Sequence, residues 1–106
     1  MNKADLLKKS LDAVSDRGEK YGDVKTNFKQ IADFWSLHLR NRHGMSVELT
    51  PGDVASMMIL MKLARLAHSP DHKDSMIDVA GYAACWADLS HTRAVTPILQ
   101  PVDKVK

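Results

Sequence analysis

The segment beginning Thr50-Pro51-Gly52-Asp53 constrains this chain more than any other. Thr as N-cap, Pro at the first helical position and Asp at the third form a strong helix-start signal. The residues that follow, Val54-Ala55-Ser56-Met57-Met58-Ile59-Leu60-Met61-Lys62-Leu63-Ala64-Arg65-Leu66-Ala67, are apolar almost all round. A helix without a polar face belongs inside. The sequence therefore predicts that this is the central helix of an all-α fold. Met57, Met58 and Met61 read as core filler, since flexible thioethers fit irregular gaps.

Punctuation at Gly18, Gly22, Gly44, Pro51-Gly52, Ser69-Pro70, Pro97 and Pro101 divides the rest. The first helix is expected over about Lys3–Lys20, with Leu7, Leu11 and Val14 as its apolar stripe. The second is expected over Val24–Arg42. Val24, Phe28, Ile31, Trp35 and Leu39 share one face, and Lys29, Asp33, Ser36 and Arg40 the opposite one. Asn27 and His38 lie at the edge of the stripe. Arg42-His43-Gly44 closes this helix with cations and then a glycine. The fourth helix is expected from near Asp71 to about Thr92, again apolar over most of its circumference. Short connections between four such helices predict a compact four-helix bundle, a single helical domain over residues 1–94 with an extended C-terminal tail over 95–106. Two helices this apolar are many for a chain of 106 residues. A homo-oligomer covering their outer faces explains the excess.

Charged residues make up 26% and hydrophobic ones 44%, an ordinary globular balance. The net charge of +2 is too small to argue for nucleic acid. Only the scattered Lys8, Lys9, Lys25, Lys29, Arg40 and Arg42 point that way. No apolar run reaches the roughly 20 residues of a membrane span, and Met1-Asn2-Lys3-Ala4-Asp5 has no signal-peptide character. The lone Cys85 allows neither an internal disulfide nor a cysteine zinc cluster and reads as a small buried hydrophobe. These features fit a reducing cytoplasm.

Against this background Lys62 and Arg65 on the third helix, and Asp74 and Asp78 on the fourth, stand out as charges in apolar surroundings. Asp74 and Asp78 are spaced i,i+4 and share a face, which Gly81 and Cys85 continue. Burying a lone charge is costly, so these groups must be paired, metal-bound or functional. An antiparallel hairpin would set the cations against the carboxylates. Two readings stand side by side. One is an ion-pair network that fixes helix register. The other is a site where Asp74 and Asp78 hold a magnesium ion while Lys62 and Arg65 hold phosphate. His38, His43, His68, His72 and His91 show no metal-ligand spacing. Arg17, Lys20 and Tyr21, before Asp23 and Asn27, read as a solvated helix end with the capacity for a second polar patch.

Five motifs now stand together. They are Arg17-x-x-x-Tyr21-Gly22-Asp23, Asn27-Phe28-x-x-Ile31-Ala32-x-x-Trp35, Leu49-Thr50-Pro51-x-Asp53-Val54-Ala55-x-Met57-Met58, Lys62-x-x-Arg65 and Asp74-Ser75-x-x-Asp78-x-Ala80-Gly81-Tyr82-Ala83. Over roughly residues 17 to 84 the chain resembles a family of short phage and prophage proteins of unassigned function. It is more distantly similar to MazG-like all-α nucleotide pyrophosphohydrolases. That resemblance implies an oligomeric helical bundle and magnesium-dependent cleavage of nucleoside triphosphates. Asp74 and Asp78 would be catalytic and metal-binding, Lys62 and Arg65 phosphate-binding, and Tyr21, Asn27 and Trp35 in contact with base or ribose. The second acidic motif of those enzymes is spaced i,i+3. Their first, a glutamate pair, is replaced here by Lys62 and Arg65. The expected function is thus a phage accessory protein that hydrolyses or binds nucleotides. The alternative is a non-enzymatic helical protein that binds a host or phage protein, with the four charges structural.

Overall fold

The computed structural model describes residues 1–89. They form α1 (Lys3–Tyr21), α2 (Val24–His43), α3 (Pro51–His68) and α4 (Lys73–Asp88), with no strand among the described residues. The all-α class and the helix order follow the sequence expectation. None of these helices is long and apolar enough to cross a membrane. The expected tail and Thr92 lie outside the described residues.

The caps explain the boundaries. Asn2 and Asp5 form a capping box on α1, and Thr50 and Asp53 form one on α3. Asp23 accepts the Thr26 N–H at 3.2 Å to start α2. Gly44 ends α2 with φ 64°, a left-handed backbone that glycine adopts without steric cost. α4 starts later and ends earlier than expected. His72 caps its start, and Leu89 closes it by donating to the Trp86 carbonyl at 2.9 Å while its own side chain enters the core.

α4 lies between α1 and α3 and also touches α2, which packs mainly on α3. The central helix is therefore α4. α3 buries only its N-terminal turns, through Pro51, Val54 and Ala55, while Met57, Leu60, Met61 and Leu63 are exposed. The expectation that α3 is buried on all sides is corrected, because no helix among the described residues covers its outer face. The core consists of Phe28, Ala32, Val54, Ala55, Cys85 and Leu89, flanked by Ile31, Trp35, Leu49, Met58 and Tyr82. Full burial of Phe28 alone contributes roughly 1.5–3 kcal/mol.

Two faces differ from the periodicity reading. Leu7 and Leu11 are 65% and 64% exposed. The inner stripe of α1 runs instead through Leu6, Ser10, Val14 and Arg17. Ser10 is buried, and its Oγ lies 2.8 Å from the Leu6 carbonyl and 3.1 Å from the Ile77 carbonyl on α4. Ser36 is likewise buried rather than on the outer face of α2. It accepts the Leu49 N–H at 2.8 Å and donates to the Ala32 carbonyl at 2.7 Å. In both places a hydroxyl satisfies polar groups where helices meet, so a polar residue holds an inward position.

Candidate functional site

Of the four charges singled out, the fold joins two. Lys62 Nζ on α3 lies 3.0 Å from Asp78 Oδ2 on α4, with the lysine side chain 12% exposed and the aspartate 38%. The lysine stem lies along the helix interface and its ammonium is neutralised at the edge. Asp74 and Arg65 are exposed and make no ion pair among the described residues. Asp74 sits in the first turn of α4, where the helix dipole favours a carboxylate. Arg65 lies with His68 and His72 in a shallow depression at the far end of α3.

Asp78 also forms part of the wall of a cleft of about 200 Å³ between α1 and α4. Val14, Arg17, Lys20 and Tyr21 line it from α1, and Asp78, Gly81, Tyr82 and Cys85 from α4. Gly81 is buried where the two helices meet. A Cβ placed there would lie 3.7 Å from Val14 Cγ2. Beyond Arg17 and Tyr21 the space continues into a second chamber of about 330 Å³, bounded by Gly18, Gly22, Asp23, Asn27 and Asp88.

Arg17 stands between the two chambers. Its guanidinium carbon lies 5.0 Å from the Tyr21 ring centroid, 5.4 Å from that of Phe28 and 5.7 Å from that of Tyr82. One amino group donates to Asn27 Oδ1 at 3.2 Å. No carboxylate pairs with it among the described residues. Aromatic faces stabilise a cation by their quadrupoles but do not neutralise it. Among the described residues Lys20 at the rim forms only an exposed 3.4 Å pair with Asp16, which holds it weakly.

Tyr21 and Asn27 thus meet at Arg17, whereas Trp35 packs on the core and lines neither chamber. The patch that the sequence suggested as a solvated helix end is half inside. Its signal is the spacing Ser10, Val14, Arg17 and Tyr21, a helical stripe ending in a cation and a ring. Cys85 forms part of both chamber walls and is buried. Burial pushes its thiol above the ordinary range, with Asp88 adding to the rise and Arg17 opposing it. It is therefore poorly suited to act as a nucleophile. No group of three His, Cys, Asp or Glu side chains converges among the described residues.

A family model described as "Domain of unknown function" (DUF6378) matches residues 5–90. The Gene 55 protein of Mycobacterium phage L5 is 46% identical over 67 residues, covering 63% of this chain and 40% of that protein. The Gene 55 protein of Mycobacterium phage D29 is 43% identical over 70 residues, covering 66% of this chain and 42% of its own length. The matched part of the chain thus spans about two fifths of these relatives. No solved structure matches.

Proposed function

The chain belongs to the DUF6378 family, and we propose that it is a phage-type accessory protein that binds a nucleotide in the cleft between α1 and α4. One observation carries this reading. Asp78 is both the partner of a nearly buried lysine and part of the wall of a cleft that holds further cations and a tyrosine ring. Lys62 holds Asp78 in position, and Lys20 and Tyr21 line the same cleft, where they would meet phosphate and base.

The MazG-like reading adds hydrolysis to this. Asp74 and Asp78 lie one helical turn apart on α4, Asp78 in the cleft wall and shared with Lys62, Asp74 exposed and outside the residues that line the cleft. Such a pair suits a magnesium–nucleotide complex, in which substrate oxygens complete the metal shell, better than a free ion. When bound, the metal would neutralise phosphate charge. Arg65 lies away from the cleft, so its phosphate role falls to the cations of α1. The test is calorimetric titration of the chain with a nucleotide panel in magnesium buffer, followed by turnover assays. Binding by the wild type and loss of turnover in Asp78→Asn, with helicity intact, is the expected result. If no nucleotide binds, the reading fails.

A second reading rests on the outer face of α3, where Leu60 is 62% exposed beside Met57, Met61 and Leu63, with Trp86 of α4 also exposed. Contiguous exposed apolar side chains mark contact surfaces. This face would dock a second copy of the chain or a host protein. Sedimentation of the pure protein separates the two, because a monomer leaves only the foreign partner.

A further inference from the structure

The chemistry around Arg17 goes beyond the charges that the sequence singled out. We infer that Arg17 is the phosphate anchor of the α1–α4 cleft, held by the rings of Tyr21, Phe28 and Tyr82 and by Asn27, and that it orients an elongated phosphate ester across both chambers. This rests on the nucleotide reading above and assigns its polarity.

A guanidinium offers five N–H donors in a fixed fork. Asn27 takes one of them, at 3.2 Å. The three rings cover its faces at 5.0–5.7 Å without offering an acceptor lone pair. No side-chain nitrogen is both buried and unpartnered among the described residues, so the donors that Asn27 does not take reach solvent, and Arg17 borders both chambers. A partly desolvated cation with a planar fork matches phosphate oxygens, and the rings and Asn27 have already paid the entropy of holding it still.

The two chambers differ in charge. The first carries Lys20, with Asp16 tied to it, and Asp78, neutralised by Lys62. The second carries Asp23, committed to the α2 cap, and Asp88. Arg17 borders both chambers; with Asp16 offset by Lys20 and Asp78 by Lys62, the first side is otherwise balanced, whereas the second carries two carboxylates. A phosphate belongs on the Lys20 side of Arg17. The uncharged end of the ligand belongs on the side of Asn27, Asp23 and Asp88, whose oxygens accept hydrogen bonds from sugar hydroxyls or amino groups. Tyr21, exposed at the rim of both chambers, is the plate on which a base stacks.

The experiment titrates the chain with inorganic pyrophosphate and with ATP, following the arginine Nε–Hε resonances by NMR and affinity by calorimetry. Both probes should move one arginine signal, which Arg17→Lys removes. Arg17→Gln should weaken ATP binding by about tenfold or more, the size of a lost hydrogen-bonded charge contact. Circular dichroism reports whether that variant is folded. Should it unfold, Asn27→Ala keeps the cation but frees its fork, and a several-fold loss is expected. If ATP binds Arg17→Gln or Asn27→Ala as tightly as wild type, this assignment is wrong while the nucleotide reading stands. If neither probe binds the wild type, both fall.

Discussion

The ammonium of Lys62 sits 3.0 Å from the carboxylate of Asp78, and the two are unequally buried, at 12% and 38% exposure. That asymmetry sets their mutational costs. Asp78→Asn leaves a nearly buried cation without its counter-charge and should cost about 1–2 kcal/mol, less than a fully buried pair because water reaches the aspartate side. Lys62→Met removes the buried charge along with the partner and keeps the stem's volume, while Asp78 can hydrate. Its cost should be smaller, within about 1 kcal/mol. Urea unfolding of both single variants and the double variant checks this, with a coupling of about 0.5–1.5 kcal/mol expected. A larger loss for Lys62→Met than for Asp78→Asn would contradict it.

Gly81 separates stability from site shape. It lies inside α4, where alanine is better by about 1 kcal/mol or somewhat less. The added methyl would meet Val14 Cγ2 at 3.7 Å, an ordinary contact. Gly81→Ala should therefore raise the melting temperature. The same methyl enters the cleft that Gly81 lines, so nucleotide affinity should fall. A variant that is more stable and binds unchanged would move the ligand site away from the α1–α4 cleft.

His72 is an unusual N-cap. Its Nδ1 accepts the Ser75 N–H at 3.2 Å and lies 2.8 Å from Ser75 Oγ, a hydroxyl with no solvent exposure. For Nδ1 to accept, the ring proton must be on Nε2. His72→Ala removes the cap and strands a buried hydroxyl, a loss of about 1–3 kcal/mol. His72→Asn offers the same backbone an acceptor and should recover most of it. Thermal melts of the two variants decide, and equal losses would mean that the imidazole acts by packing.

Helix order, caps and the inward stripe of α2 were legible because each depends on neighbours within a turn or two. Thr50 and Asp53, or Phe28 and Ile31, need no distant partner to be read correctly. The role of α3 was not, since apolar composition on every side does not say which neighbour supplies the cover. The chain gives the central position to α4, flanked by α1 and α3. Ser10 and Ser36 were missed for a related reason: a hydroxyl takes an inward position only where a carbonyl or N–H from another segment meets it, as Ile77 and Leu49 do. Half of the charged cluster was readable. Lys62 and Asp78 meet, while the sequence distance between Arg17 and Tyr82 concealed the aromatic cage.

Cys85 gives a pH signature of the same region. Burial raises its thiol pKa, Arg17 lowers it and Asp88 raises it. The folded protein therefore holds the thiol proton more tightly than the unfolded chain does. With more protons bound in the native state, stability falls as pH rises. This contribution is fully present below the ordinary thiol pKa of about 8.5 and is lost as pH climbs from there toward the raised native value. Alkylation by iodoacetamide should follow the same ordering, slower at pH 8 than for a free thiol and accelerating only in more alkaline buffer. Arg17→Gln takes away a lowering influence, so its alkylation profile should move to still higher pH. A profile that moves down, or a Cys85 that reacts at the rate of a free thiol at pH 8, would show that the thiol is open to water and that Arg17 does not face it.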